Sequence, residues 1–140
     1  MLAAYRTAEA ERQQQGIPAL PLNPKQTAEL CVLLENPPAG EAATLVELLR
    51  ERVSPGVDPA AKVKAEWLGA VAHSEKQSPL ISAADAVVML GTMLGGYNVP
   101  FLTRALEGAH AALAADALAK IVLVFDNFAV VAKLASDGNA

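Results

Sequence analysis

The sequence predicts an all-α fold, built as a HEAT-like stack of antiparallel helix pairs. Apolar residues recur at helical spacing along most of the chain, and alternating runs of β-branched residues, which would indicate strands, are few. Proline, glycine and asparagine separate the apolar runs every few tens of residues, as expected for helix pairs joined by short turns. No tetratricopeptide or ankyrin signature is present, and this architecture alone predicts no function.

Composition predicts one globular domain over residues 1–140. A hydrophobic fraction of 53% in 140 residues is enough to bury about two thirds of the unfolded surface. The net charge of -4, with dispersed lysines and arginines, disfavours nucleic-acid binding by this domain alone. Glycines, an asparagine and a proline interrupt the uncharged run 86–103, so we expect no membrane span. The first residues lack the pattern of a secretory leader, so we expect a cytoplasmic protein.

The N-terminal part of the domain, residues 1–23, is predicted to be a helix followed by an extended arm. The helix covers residues 2–15 and stops at Gly16, because glycine readily takes the positive φ that closes a helix. Prolines exclude a helix from the arm. We expect its apolar side chains, Ile17, Leu20 and Leu22, to pack on a neighbouring surface.

Residues 24–140 are predicted to form the helix pairs. The predicted helices cover residues 24–35, 41–53, 59–74, 83–95, 99–107, 112–125 and 129–135. Asn23, Asp58 and Ser82 are predicted N-caps, because their side chains accept hydrogen bonds from the first free backbone N–H groups of a helix. Trp67 is predicted to anchor the core. The helix over 112–125 is apolar almost all round, so we expect it at the centre of the domain.

The run LGTMLGGYN over 90–98 is the most distinctive local feature, and it predicts a corner between two helices. We expect Gly95 or Gly96 to end the first helix, and the Asn98 side chain to cap the second. A phosphate loop is disfavoured, because no strand precedes the glycines and no Gly-Lys-Ser/Thr ending follows them. Tyr97 suits a core edge or an interface, and a contact role for Asn98 stays an alternative.

Residues with catalytic or metal-binding chemistry are scarce. Cys31 is the single cysteine and lies in an apolar helical run, so we expect a buried small side chain and no multi-thiolate metal site. His73 and His110 have no second ligand at zinc-binding spacing, so we expect ordinary surface or helix-end residues. We therefore predict no catalytic, cofactor-binding or metal-binding residue in this chain.

The closing helix is predicted to need a partner that the chain does not supply. Asp126 and Asn127 are interpreted first as turn and cap residues, and Phe128 is expected to insert into the stack. The helix that follows carries one charge, whereas the end of a helical stack needs a polar cap to stay soluble. The candidate interface residues are Tyr97, Asn98, Asp126, Asn127, Phe128, Val130, Val131 and Leu134.

Four blocks of sequence carry a resemblance to a known family. They read NPPAGE at 36–41, PGVDPAAKVKA at 55–65, LGTM with GGYN at 90–98, and FDNF at 125–128. In this order they resemble the N-terminal domain of the bacterial aconitate hydratase B family, and the resemblance runs along nearly the whole chain. It implies a HEAT-like helical domain placed ahead of catalytic domains. The family's helical domain continues where this sequence stops at Ala140, so we expect a piece of a longer enzyme.

The resemblance implies what the parent enzyme does. Its catalytic domains hold a [4Fe–4S] cluster on three cysteines and interconvert citrate and isocitrate through cis-aconitate, and some members also process 2-methylisocitrate. No catalytic or cluster-binding residue of the family falls on this chain. The helical domain is implied to pack on the catalytic core, to shape substrate access, and to support dimerisation and contacts with other enzymes. RNA binding is attributed to the cluster-free enzyme, and the acidic balance here argues against this domain carrying it unaided.

Three hypotheses about function follow. The first is a non-catalytic interaction domain of aconitate hydratase B that packs on the catalytic domains and supports homodimerisation. The second is a standalone helical interaction scaffold, which predicts a well-capped C-terminal end. The third is a small-molecule binder or enzyme that uses Tyr97, Asn98, Asp126 and Asn127 as a polar cluster.

Overall fold

Every regular element in the described part of the chain is helical, which confirms the predicted all-α class. The structure is a computed structural model, and it describes residues 1–121 and 127–138. The α-helices are α1 (Leu2–Gln14), α2 (Pro24–Glu35), α3 (Ala42–Glu47), α4 (Pro59–Ala72), α5 (Ala83–Leu90), α6 (Val99–Ala105), α7 (Ala111–Ala119) and α8 (Phe128–Ser136). A π-helical segment, Leu48–Arg52, follows α3 directly.

The predicted N-caps start three of these helices. Asn23 Oδ1 accepts a hydrogen bond from the Gln26 backbone N–H at 2.8 Å, and the Gln26 side chain accepts from the Asn23 N–H. Asp58 Oδ1 accepts from two backbone N–H groups at the start of α4. Ser82 and Asp85 form the predicted reciprocal capping box at α5. Local sequence chemistry therefore fixes where α2, α4 and α5 begin.

The predicted single helix over 41–53 is wrong in one respect, because its second half winds as a π-helix. α3 ends at Glu47, and residues 48–52 continue with the wider turn. The apolar residues of the stretch, Leu45, Leu48, Leu49 and Val53, are all buried as predicted.

α4 lies at the centre of the core. It packs most extensively against α5 and α2, and it also contacts α6. Trp67 is 4% exposed and donates its indole N–H to Glu35 Oε1 at 2.9 Å, which confirms the predicted anchor. The largest contacts join helices that are neighbours or next neighbours in sequence. This pattern is compatible with the predicted HEAT-like stack, which stays a prediction.

The extended arm docks through Ala19 and Leu22. Leu22 and Ala19 are buried, and the Leu22 N–H donates to the Arg52 carbonyl at 2.7 Å. Ile17 and Leu20 are exposed, so the prediction that all three apolar side chains pack is wrong for these two. Gly16 takes the predicted positive φ, 70°, just after α1.

The prediction that the apolar helix over 112–125 occupies the domain centre is wrong for its described part. α7 covers Ala111–Ala119 and buries only Ala114 and Ala117, against α5 and α6. The methyl groups of its other alanines add too little apolar surface to demand burial. α7 therefore lies at the edge of the domain and keeps one apolar face free for a groove.

Candidate interaction surface

The C-terminal groove is an apolar groove between α7 and α8, with a volume of about 610 Å³. Its lining residues are Leu106, Ala111, Ala112, Ala115, Leu118, Ala119, Phe128, Val131, Leu134 and Ala135. All ten side chains are apolar. A contiguous exposed apolar surface of this kind is a candidate interaction site.

α8 forms one wall of the C-terminal groove without burying a single one of its residues. Phe128 is 68% exposed and Val130 is 45% exposed, while Val131 and Leu134 are half-buried. The predicted insertion of Phe128 into the stack is therefore wrong. The interaction-domain hypothesis predicts an exposed apolar patch near Val130, Val131 and Leu134; of these, Val130 is exposed and the other two are half-buried along the groove. A helix of nine residues is too short to be stable in water by itself, so α8 needs a surface to cover it.

The corner over 90–98 has a different geometry from the predicted one. α5 ends at Leu90, and a turn follows it, so the helix stops well before the double glycine. Leu94, predicted to continue the buried face of the helix, is 71% exposed. Gly96 has φ 86°, as a corner glycine would, but it closes the turn and not the helix.

Asn98 caps the end of α5 and not the start of α6, so its predicted role is wrong. The Asn98 side chain is fully buried and accepts no backbone hydrogen bond from α6. Its Nδ2 donates instead to the Leu90 carbonyl at 2.6 Å and the Met93 carbonyl at 3.1 Å. Its Oδ1 is buried and has no hydrogen-bond partner among the described residues. Asn98 therefore ties the two helices together from inside.

The corner packs against the loop that precedes α4. The Leu94 N–H donates to the Pro55 carbonyl at 2.8 Å, and the half-buried Tyr97 donates its hydroxyl to the Val57 carbonyl at 2.9 Å. Gly95 lies so close to this loop that a Cβ on it would fall 2.1 Å from the Gly56 carbonyl oxygen. Tyr97 is thus a core-edge residue that ties the corner to the loop.

The predicted polar cluster is divided between two places. Tyr97 and Asn98 are engaged at the corner, whereas Asn127 stands at the start of α8 with no side-chain capping bond. Asp126 lies outside the described residues. The described side chains do not assemble the polar site that the small-molecule hypothesis needs.

The residues with reactive chemistry take ordinary structural positions. Cys31 is 5% exposed, and burial raises the pKa of its thiol to about 12. His73 stands at the end of α4, where its Nε2 lies 3.1 Å from the Phe101 carbonyl, and burial lowers its pKa. His110 stands at the start of α7. Both histidines are the helix-end residues that the sequence predicts.

The residues of this chain do not fit an iron–sulfur cluster. Such a cluster is bound by several thiolates, whereas the chain has one cysteine, whose raised pKa disfavours the thiolate. Within residues 1–121 and 127–138, no three His, Cys, Asp or Glu side chains lie together as a metal site. In the same part of the chain, no helix has both the length and the hydrophobicity to span a membrane.

The core contains a buried lysine that was not predicted from the sequence. Lys64 is 2% exposed and lies on α4 among the core residues. Its position was readable from the sequence, because it falls three residues before Trp67 and four before Leu68, at helical spacing on the same face. Because lysine is rarely buried, an exposed position was expected for it in spite of this spacing.

Over residues 1–121 and 127–138, these features define a helical domain with a closed core and an uncovered apolar groove. The family described as Aconitate B N-terminal domain matches residues 4–140. The chain belongs to this family, which confirms the resemblance carried by the four sequence blocks.

Individual relatives agree along nearly the whole chain. Aconitate hydratase B of Synechocystis sp. is 56% identical over 131 residues, which cover 91% of this chain and 15% of the relative. The Escherichia coli protein of the same name is 50% identical over 140 residues, 99% of this chain and 16% of the relative. That of Pseudomonas aeruginosa is 50% identical over 141 residues, again 16% of its length. The chain thus spans about a sixth of these enzymes.

Proposed function

We propose that this chain is the non-catalytic N-terminal domain of an aconitate hydratase B and that it works by interaction. The parent polypeptide would interconvert citrate and isocitrate through cis-aconitate, with its [4Fe–4S] cluster held outside this chain. Membership of the N-terminal domain family supports the parent, and the poor fit of Cys31 to a cluster supports a non-catalytic role.

The observation that carries the interaction role is the C-terminal groove with its uncovered helix. α8 buries none of its residues, although most of them are apolar. The family description places this domain at the N-terminal end of proteins about six times as long, so most of their length follows the matched region. We therefore assign the groove to contact with the catalytic domains of the same polypeptide. Shaping of substrate access and support of homodimerisation belong to the same proposal, on the resemblance to the family.

Hydrogen–deuterium exchange tests the contact directly. Amides of α8 are compared in the 140-residue chain and in a full-length protein of the family that carries this sequence as its first domain. If catalytic domains cover the groove, exchange across α8 slows by at least tenfold in the longer protein, because burial stops the short helix from fraying. Equal exchange in the two proteins would contradict the proposal.

A double variant in the groove and a control variant outside it distinguish the contribution of the groove from that of other exposed apolar side chains. Val131→Ser with Leu134→Ser should lower the Tm of the full-length protein and leave that of the 140-residue chain nearly unchanged. Val32→Ser changes a valine that is 61% exposed on α2, away from the groove, and should affect neither. Aconitate hydration by the same variants reports whether loss of the contact impairs the enzyme.

Self-association is tested on the 140-residue chain by sedimentation equilibrium. A dimer that forms with rising concentration and is abolished by Val131→Ser with Leu134→Ser would place a second copy in the groove. A strictly monomeric chain with a protected α8 would favour the alternative of a standalone helical scaffold.

A further inference from the structure

Lys64 is a buried cation with no partner of its own among the described residues. Its side chain is 2% exposed on the central helix α4, and it forms no hydrogen bond or ion pair with residues 1–121 or 127–138. Burial lowers the pKa of Lys64 to about 8, while the nearby carboxylate of Glu51 opposes the shift. Among the described residues, Asn98 Oδ1 is the only fully buried side-chain polar atom without a hydrogen-bond partner, so the hydrocarbon stem of Lys64 is buried whereas its ammonium stays in contact with solvent.

Lys64 opens onto a cavity of about 490 Å³, the lysine cavity, which lies apart from the C-terminal groove. Its lining residues are Arg50, Glu51, Val53, Pro55, Lys64, Asp85, Val88, Met89 and Thr92. The volume exceeds that of a single water many times over. The cavity thus combines a mostly apolar wall with a small number of charged groups, as ligand sites do.

The charges around the lysine cavity are not equally available. Asp85 is already engaged, since its Oδ2 accepts hydrogen bonds from the Ser82 N–H at 3.1 Å and the Ser82 hydroxyl at 2.6 Å. Arg50, like Lys64, makes no hydrogen bond or ion pair with the described residues. Glu51 is exposed and acts on Lys64 only through its charge. Two cations and two carboxylates therefore line the cavity, and of the carboxylates Asp85 is held by Ser82 and attracted by Arg50.

We propose that the lysine cavity binds a small oxyanion, a carboxylate or a phosphate, with Lys64 and Arg50 as its cationic ligands. An oxyanion in the cavity gives the Lys64 ammonium hydrogen-bond acceptors that no described residue supplies, and charge-assisted bonds of this kind are stronger than those between neutral groups. The arginine adds a planar donor group suited to carboxylate and phosphate oxygens. The site needs only residues of this chain and is independent of the function proposed for the C-terminal groove.

Thermal unfolding of the 140-residue chain tests the proposal, with malonate and inorganic phosphate as probes and sodium chloride at matched ionic strength as reference. At a probe concentration ten times its Kd, we expect Tm to rise by about 5 °C above the chloride reference. Lys64→Met keeps an unbranched side chain of similar length without the charge, and it should weaken probe binding by at least tenfold. Lys62→Met, on the same helix but exposed beside Glu66, should respond as the unchanged chain does.

Titration calorimetry of Glu51→Gln distinguishes an external anion from an internal partner. If Glu51 only competes with the anion, its removal should tighten malonate binding severalfold. If Glu51→Gln binds malonate no more tightly than the unchanged chain, the anion does not lie near Glu51 and Lys64, and the proposal is overturned. Equal Tm responses of Lys64→Met and Lys62→Met would overturn it as well, since the anion effect would then lie elsewhere on the surface.

Discussion

Gly69 of α4 lies directly against the ring of Phe101 of α6, so that a Cβ on Gly69 would fall 2.2 Å from Phe101 Cδ1. Glycine inside a helix is unfavourable by about 1 kcal/mol relative to alanine. Its presence in the middle of α4 is explained by this close approach, which lets the Phe101 ring pack where a methyl group would stand.

Gly69→Ala should destabilise the domain although it favours the helix. The overpacking cost of about 3 kcal/mol exceeds the propensity gain of about 1 kcal/mol, for a net loss of about 2 kcal/mol. Urea unfolding of the variant measures it. The same substitution in a Phe101→Leu background should cost less, because the smaller side chain gives way. An equal cost in both backgrounds would show that the ring is not the obstacle.

Gly95 and Gly96 should differ in their tolerance of alanine, for different physical reasons. A Cβ on Gly95 would meet the Gly56 carbonyl oxygen at 2.1 Å, and a backbone atom cannot rotate away, so we expect Gly95→Ala to cost about 3 kcal/mol. Gly96 has φ 86° and open space around it, so Gly96→Ala should cost only about 1 kcal/mol of backbone strain. Chemical denaturation ranks the two, and the reverse order would contradict the structure.

Asn98→Asp should be more damaging than Asn98→Ala. Alanine removes both side-chain hydrogen bonds and leaves the Leu90 carbonyl with the Met93 N–H alone, a loss of about 2 kcal/mol in the free energy of unfolding. Aspartate is charged at neutral pH and would place an acceptor beside those same carbonyl oxygens in a fully buried position. We therefore expect it to lower the free energy of unfolding by at least about 3 kcal/mol. Asn36→Asp, at an exposed residue, is the control. Stability of Asn98→Asp that recovers as pH is lowered would identify the buried charge as the cause.

Titration of Lys64 and titration of Cys31 should change the free energy of unfolding of the domain in opposite directions at alkaline pH. The pKa of Lys64 is about 8 in the folded chain against an ordinary 10.5, so the unfolded chain binds more protons above pH 8 and stability rises towards pH 10. The difference between these two pKa values corresponds to about 3 kcal/mol in the free energy of unfolding. The pKa of Cys31 is about 12 against an ordinary 9.0, so its contribution falls with pH above about 9.

Urea unfolding at pH 7, 8, 9 and 10 separates these two contributions. Cys31→Ala should show a continued rise in the free energy of unfolding up to pH 10, because only the lysine then titrates. Lys64→Met should lose the rise between pH 8 and 9 and show the decline alone. Identical pH profiles for the two variants would contradict the assigned burial of both groups.

The sequence predicted those features whose partners lie within a few residues. Asn23, Asp58 and Ser82 cap helices that begin one residue later, and their chemistry is complete within one turn. Burial of Trp67 was predictable because the apolar residues around it recur at helical spacing, which places them together on the face of the helix that packs into the core. The family was predictable as well, from the amino-acid sequences of four short blocks.

The features that escaped prediction depend on contacts between distant elements. Asn98 looks like an N-cap, but the carbonyls at the end of α5 take its amide. Exposure of α7 was decided by which helices surround it, and hydropathy does not encode that. Burial of Lys64 was overlooked for a different reason, because its charge outweighed a helical spacing that places it on the core face. In the candidate site, the exposed side chain of Val130 was expected from the sequence, whereas the groove between α7 and α8 needed the structure.

The amide of Asn98 also bears on the order in which the domain folds. Its two acceptors, Leu90 and Met93, precede it by eight and five residues, so the loop that must close is short and its entropy cost is small. The bond from the Ser78 hydroxyl to the Leu34 carbonyl instead spans 44 residues. We therefore expect the hairpin of α5 and α6 to form early and to offer a template on which α2 and α4 condense.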